Sequence, residues 1–237
     1  MLPCRFLMRR NMRAFIFDMD GCLLDSIGFW HDAEQRLLDM VGITLTKEER
    51  DHLNELTLEE AGVWFHEEFG VLDDPESVAK AVIEFMLESY RTVVEANPGV
   101  YEFINTLHEQ GAPICVLSSS PQSFLQAGLT RTNLKQFFPD ELIFSADGTG
   151  LTKRNPSTFE FVCEKLGSAL EDTWLFDDSW YACRTAQELG MHVVGSFSTD
   201  ECGTHEELGR YSEFVIDDFT DPALQGLLTD VSLGQSQ

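Results

Sequence analysis

Six short apolar runs, separated by segments with helical periodicity, constrain the fold of this chain more than any other feature. The runs are residues 14–17, 113–117, 141–144, 173–176, 192–197 and 213–216. Strands that are apolar throughout are typical of a sheet buried on both faces, and helices between them connect parallel strands. The pattern predicts an α/β fold with a doubly wound, Rossmann-like parallel sheet.

One long interval between the first two runs contains no strand-like sequence. Within residues 26–97, a helical pattern ends at Gly42, and capping boxes begin at Thr46 and Thr57. Ser77 is a candidate N-cap for a further helix. We therefore predict an all-helical domain at residues 26–97, inserted into an α/β core formed by residues 13–25 and 98–237. Residues 1–12 hold three arginines and no acidic residue, and we predict a flexible basic leader there.

Acidic residues follow two of the predicted strands. Asp18 and Asp20 come directly after the first run, next to Gly21, and Asp177 and Asp178 come directly after the fourth. In an open α/β sheet, ligands bind at the carboxyl ends of the strands, where these four residues would converge. Carboxylates that converge repel one another unless a cation neutralises them, and Mg²⁺ prefers oxygen ligands. The pattern predicts a Mg²⁺ site at this edge of the sheet.

Groups suited to binding a phosphate follow the second and third strands. Ser118 and Ser119 follow the second run, just before Pro121 and a predicted helix, so hydroxyl and backbone donors lie at a helix start there. Lys153 precedes a further helix, for which a capping box at residues 157–160 predicts the start. Its ammonium group can balance phosphate charge in the same crevice. We predict that Ser118, Ser119 and Lys153 bind a phosphoryl group.

In their order along the chain, these motifs resemble those of a known family. Asp18-Met-Asp20-Gly21, Ser118, Lys153 and Asp177-Asp178-Ser179 are similar to the four motifs of the haloacid dehalogenase superfamily. The helical insertion resembles the small cap of that superfamily, and the likeness extends over residues 13–217. The residues within these motifs are similar to those of the branch that holds phosphatases of small phosphorylated metabolites and β-phosphoglucomutases.

The resemblance implies a catalytic role for each motif. Asp18 would be the nucleophile that forms an aspartyl-phosphate, and Asp20 would be the general acid and base. Mg²⁺ would be held by the Asp18 carboxylate, the Asp20 backbone carbonyl and the Asp178 carboxylate. Asp177 would be a further ligand or would orient the others.

The same resemblance implies that Ser118 and Lys153 hold the oxygens of the transferring phosphoryl group. The expected substrate is a small phosphorylated metabolite.

Several positions depart from the pattern of the family. Cys22 and Arg154 stand where other residues are usual, and Trp30 occupies the position of a histidine often present in the mutase branch. The insertion also lacks an arginine after Thr57 that could bind a second phosphate. We therefore expect hydrolysis of a phosphomonoester. A sugar-phosphate mutase and a non-catalytic binding protein on the same fold are the alternatives.

Composition excludes several other partners. The chain has 16 basic and 41 acidic residues and a net charge of −25, which would repel a phosphodiester backbone, so nucleic acid is not an expected partner. The longest uncharged stretch, residues 110–130, contains two prolines and four serines, so no membrane span is expected. Six scattered cysteines without a C-x-x-C pair are typical of reduced thiols, and we expect a cytoplasmic monomer or weak homodimer.

Overall fold

The computed structural model describes residues 13–53, 56–146 and 149–228. The predicted basic leader at residues 1–12 lies outside these ranges.

A six-stranded parallel sheet forms the core of the protein. Its strands are β1 (Ala14–Phe17), β2 (Ile114–Ser118), β3 (Ile143–Ser145), β4 (Thr173–Asp177), β5 (His192–Ser196) and β6 (Phe214–Ile216). They lie in the order β3-β2-β1-β4-β5-β6, and every paired neighbour is parallel. The chain therefore winds outward in both directions from β1, and the predicted doubly wound α/β fold is confirmed.

Helices fill each interval between the strands. Five of them lie between β1 and β2, and the first four of these are α1 (Ile27–Val41), α2 (Lys47–Leu53), α3 (Leu58–Phe69) and α4 (Pro75–Thr92). We call these four helices the insert. The others are α5 (Val100–Glu109), α6 (Gln122–Arg131), α7 (Pro156–Leu166), α8 (Trp180–Glu188) and α9 (His205–Tyr211). None of the helices in the described part of the chain combines the length and apolar character needed to cross a bilayer.

Two helix starts differ from the sequence predictions. The N-cap of α4 is Asp74, whose carboxylate accepts a hydrogen bond from the Ser77 amide at 2.7 Å, so Ser77 lies inside the helix. Similarly, Asn155 caps α7 and accepts from the Ser157 amide at 3.1 Å. In both places proline follows the cap, and its fixed φ and missing N–H favour the first helical position. The capping box at Thr57 forms as predicted.

Apolar packing on both faces of the sheet positions the strand ends rigidly. Phe15 and Phe17 pack on one face, in the cluster that includes Phe103 of α5, whereas Ile16 and Leu175 belong to the cluster on the other face. Burial on both faces explains why β1 is apolar at every position. The insert has a small apolar core of its own, which includes Phe65 of α3. It contacts the rest of the protein, which we call the sheet domain, through packing of α4 against α6.

Candidate active site

The carboxyl ends of β1 and β4 bring three predicted aspartates together. Phe17 pairs with Phe176, and the Asp18 amide donates to the Phe176 carbonyl at 2.9 Å, so the chains leave the sheet side by side. Carboxylate oxygens of Asp18, Asp177 and Asp178 all lie within 4.8 Å of one another, and all three side chains are buried. The structure therefore brings together three of the four aspartates that were predicted to converge.

Lys153 lies among these carboxylates although it comes from the segment between β3 and α7. Its Nζ is 2.8 Å from Asp18 Oδ1 and 2.8 Å from Asp177 Oδ2, and the residue is only 2% exposed. Burial opposes the charged form, but the two adjacent carboxylates outweigh it and hold the pKa of Lys153 well above its usual value. The ammonium group is therefore protonated across the physiological range.

Burial raises the pKa of Asp18 and of Asp178, because removal from water disfavours their charged form. The pKa of Asp18 is well above its usual value, with Lys153 opposing the effect of burial. Burial and the neighbouring Asp177 raise the pKa of Asp178 to about 6. Three carboxylates around one ammonium group leave an excess of negative charge in a buried place.

This set of donors fits Mg²⁺. The ion accepts a small number of carboxylate ligands together with water and phosphate oxygens, and its charge would offset the excess at Asp18, Asp177 and Asp178. The fourth predicted ligand, Asp20, is not part of the carboxylate cluster. Because the prediction uses its backbone carbonyl, that contact stays a prediction.

Gly21 allows the turn after β1 to approach Asp178 closely. Its φ is +71°, in the left-handed region, and a Cβ at this position would lie 2.1 Å from Asp178 Oδ2. The same carboxylate oxygen accepts a hydrogen bond from Ser198 Oγ at 2.7 Å. Any side chain at position 21 would therefore displace Asp178 from the cluster.

Three hydroxyl groups hold the carboxylate of Asp20. Ser26 Oγ donates to Oδ1 at 2.6 Å, Ser120 Oγ donates to Oδ2 at 2.6 Å, and the Tyr90 hydroxyl also donates to Oδ1. Tyr90 is at the end of α4, and its oxygen accepts from Trp30 Nε1 at 3.2 Å. Burial, followed by the charge of Asp20, raises the pKa of Tyr90, so its hydroxyl stays protonated and remains a donor.

The serines after β2 lie beside this cluster. Ser118 is buried and Ser119 is exposed, and both line one cavity with Asp18, Asp20, Lys153 and Asp178. The Ser118 hydroxyl accepts from the Ser120 amide at 3.1 Å, and the Ser120 carbonyl accepts from Ser145 Oγ at 2.7 Å, which fixes the loop. The residues predicted to bind phosphate therefore face the predicted nucleophile and metal ligands.

Sequence reasoning missed four residues that contact the site. Tyr90, Ser26 and Ser120 bond to Asp20, and Ser198 bonds to Asp178. Ser26 lies only six residues after Asp20, so its position in the sequence could have indicated a contact with that residue. Tyr90 and Ser198 have no such signal, because they are separated from their partners by 70 and 20 residues and lie in no recognisable motif.

Comparisons with known proteins agree with this architecture. A family model described as haloacid dehalogenase-like hydrolase matches residues 15–196. A phosphorylated carbohydrates phosphatase of Thermotoga maritima is 26% identical over 183 residues, which cover 77% of this chain and 84% of the relative. A 6-phosphogluconate phosphatase of Escherichia coli is 27% identical over 193 residues, covering 77% and 81%.

Solved structures show the same fold at lower identity. One of them is a crystal structure from Thermotoga maritima whose protein is provisionally described as a β-phosphoglucomutase. It superposes with a TM-score of 0.73 at 22% identity, covering 93% of this chain and all of the other. A structure described as a HAD hydrolase, family IA, variant 3, from Entamoeba histolytica gives a TM-score of 0.74 at 19% identity, with 94% of this chain and all of the other covered.

Proposed function

Because the chain belongs to the haloacid dehalogenase-like hydrolase family, we propose that it is a Mg²⁺-dependent phosphatase of small phosphomonoesters that works through an aspartyl-phosphate. One observation carries the proposal. The carboxylate oxygens of Asp18, Asp177 and Asp178 lie within 4.8 Å of one another, and Lys153 is 2.8 Å from two of these residues.

In the first step, a carboxylate oxygen of Asp18 attacks phosphorus in line with the ester bond. The new P–O bond forms as the bond to the substrate alcohol breaks, so one displacement is divided into two. Attack requires the ionised carboxylate, which burial disfavours. Lys153 supports the ionised form through its contact with Asp18 Oδ1.

Asp20 is suited to moving the protons of both steps. Its carboxyl group would donate a proton to the departing alcohol oxygen, and would then remove a proton from the water that attacks the aspartyl-phosphate. The second step releases inorganic phosphate and restores Asp18. Hydrogen bonds from Ser26, Ser120 and Tyr90 fix the position of the Asp20 carboxylate between turnovers.

The remaining predicted residues would bind the phosphoryl group. Ser118, Ser119 and Lys153 supply hydroxyl and ammonium donors at the base of the cavity. Asp18, Asp178 and the Asp20 carbonyl would hold Mg²⁺, with Asp177 as a further ligand or orienting group. When bound, the ion neutralises charge on the phosphoryl oxygens. The predicted helical domain of residues 26–97, which contains the insert, would cover the site and exclude bulk water.

Hydrolysis is favoured over intramolecular transfer. A mutase must bind a second phosphate of its bisphosphate intermediate, and this requires a cationic group in the insert. Among the described residues that line the cavity from the insert, none is basic. The relatives named as phosphatases of phosphorylated carbohydrates and of 6-phosphogluconate support the same choice.

The proposal is tested with p-nitrophenyl phosphate and the full chain. We expect release of inorganic phosphate that requires Mg²⁺, stops with chelator and is lost in Asp18→Asn. Asp39→Asn, on the exposed face of α1, is the matched control. Turnover by Asp18→Asn close to the wild-type rate would overturn the proposal. Conversion of a hexose 1-phosphate without phosphate release would instead assign the mutase reaction.

A further inference from the structure

The cavity that contains the reacting groups continues between the sheet domain and the insert. Its volume is about 450 Å³, which is enough for an organic group beyond the phosphate. The insert side is lined mainly by apolar side chains, including Ile27, Trp30, Leu58, Ala61, Phe65 and Val82. All of these except Phe65 are half-buried, so they present apolar surface to the cavity.

Charge on the insert side of the cavity comes from one residue. Among the described residues, Glu34 is the only ionisable group that lines it from the insert. Its side chain is 17% exposed and forms an ion pair with Arg50. Burial raises the pKa of Glu34, and Arg50 opposes that effect. Apart from Glu34, no described residue that lines the cavity from the insert could form an ion pair with a ligand.

Basic groups that line the cavity belong to the opposite side. Lys153 contacts Asp18 and Asp177 at the base, and Arg154 lies over the ring of Tyr181, with its Cζ 3.9 Å from the ring centroid. Both follow β3 in the sheet domain, so a phosphate at Asp18 uses the positive charge at the base.

Resting on the proposed function, we propose that the substrate is a monophosphate ester of an uncharged, predominantly apolar alcohol. Burial of an alkyl or aryl group against Leu58, Ala61 and Val82 is favourable. A polyhydroxylated group would lose its water there and meet few hydrogen-bonding partners. A second anion would face Glu34, so this residue acts as a specificity determinant against dianionic substrates.

A series of n-alkyl phosphates measures the apolar contribution directly. From ethyl to pentyl phosphate the leaving alcohols have similar acidity, so differences in kcat/KM report the binding of the chain. We expect kcat/KM to rise about fourfold per added methylene. Matched pairs test polarity and charge: propyl phosphate should exceed glycerol 1-phosphate, and ethyl phosphate should exceed phosphoglycolate, each by at least about tenfold.

Variants of cavity-lining residues test whether the preference for alkyl phosphates arises from the apolar lining of the insert. Val82→Thr keeps the side-chain shape but replaces a methyl group by a hydroxyl group, and should lower kcat/KM for pentyl phosphate about three- to tenfold. Ala61→Ser is a second variant, which adds a hydroxyl group to the cavity wall and has the same expected direction. Val63→Thr is the matched control, because Val63 is 41% exposed on α3 and does not line the cavity.

The charge of Glu34 is tested separately. Glu34→Gln should raise the ratio of kcat/KM for phosphoglycolate to kcat/KM for pentyl phosphate at least about fivefold, and Glu67→Gln, on the exposed surface of α3, is the control. A second readout avoids turnover altogether: calorimetry with Asp18→Asn should show tighter binding of pentylphosphonate than of phosphonoacetate.

The outcomes separate this inference from the proposed function. If p-nitrophenyl phosphate is not hydrolysed at all, the proposed function is wrong. If it is hydrolysed, but glycerol 1-phosphate and phosphoglycolate exceed their alkyl partners, the inference is wrong and the phosphatase assignment stands. An alkyl preference that Val82→Thr, Ala61→Ser and Glu34→Gln all leave unchanged would also overturn it, because the insert cavity would then not be its source.

Discussion

Replacing Lys153 with methionine removes the positive charge from the buried aspartate cluster. Its Nζ contacts Asp18 and Asp177 at 2.8 Å each, and the side chain is 2% exposed. Methionine has similar length, so the main change is the loss of charge. Breaking a buried ion pair by removing one partner costs about 3–5 kcal/mol, because the other charges stay buried without compensation. For a chain of this size we expect the Tm to fall by roughly 6–20 °C.

The assay is urea or thermal unfolding in chelator at pH 7.5, with Lys80→Met as the matched control. Lys80 also pairs with a carboxylate, Glu84, at 3.8 Å, but both side chains are about 70% exposed. The control should change the free energy of unfolding by no more than about 0.5 kcal/mol.

The sign of the pH dependence provides a second check. The pKa of Asp18 is raised in the folded protein and that of Asp178 is about 6, so the folded state binds protons more tightly than the unfolded chain. Stability from these groups is therefore present at low pH and is lost as the pH rises through the folded-state values. Without Lys153 this dependence should steepen, and the deficit of the variant should be smaller at pH 5 than at pH 7.5. A loss equal to that of Lys80→Met at both pH values would refute the electrostatic reasoning.

Three further changes probe neighbouring parts of the site. In chelator, the wild type should gain about 1 kcal/mol from protonation of Asp178 between pH 7.5 and pH 5, and Asp178→Asn should lack that gain in urea titrations. Gly21→Ala should lower the free energy of unfolding by at least about 1–2 kcal/mol and kcat at least tenfold, because φ is +71° and the new Cβ would overlap Asp178. Tyr90→Phe should lower kcat roughly tenfold with little change in KM, since Asp20 loses a hydroxyl that positions it.

Matched controls accompany the Gly21 and Tyr90 variants. Gly28→Ala adds a methyl group on α1 with nothing within 4 Å, so it should be neutral or stabilising by up to about 1 kcal/mol. Tyr101→Phe removes a hydroxyl from a side chain that is 41% exposed and should leave kcat unchanged. A Gly21 variant as stable and active as the Gly28 variant would contradict the close approach to Asp178. Equal kcat for Tyr90→Phe and wild type would show that this hydroxyl does not position Asp20.

The strands were predictable because their signal is local. Every predicted strand overlaps an observed one, and β1 has the predicted bounds, since burial on both faces requires apolar residues throughout. Convergence of the acidic motifs followed from a general property of parallel sheets, whose carboxyl ends share one edge. Helix starts were less predictable. At Asp74 and Asn155 a cap followed by proline prevailed over the serine-based caps at Ser77 and Ser157.

Contacts made across long stretches of chain could not be predicted. Ser120 and Tyr90 bond to Asp20 from 100 and 70 residues away. Glu34 lines a cavity whose opposite side includes residues that come after β3 in the chain. Such contacts depend on how the insert packs on the sheet domain, and hydrophobic spacing specifies which face of a helix is buried without specifying its partner.

The sequence by itself therefore determined the parallel sheet and the edge at which Asp18, Asp178 and Lys153 meet, because strand polarity and chain order leave few arrangements. Only the tertiary structure decided how Asp20 is held and which side chains line the space beyond the phosphate. Those features arise from side-chain packing between separate elements, where an ångström of displacement makes or breaks a hydrogen bond.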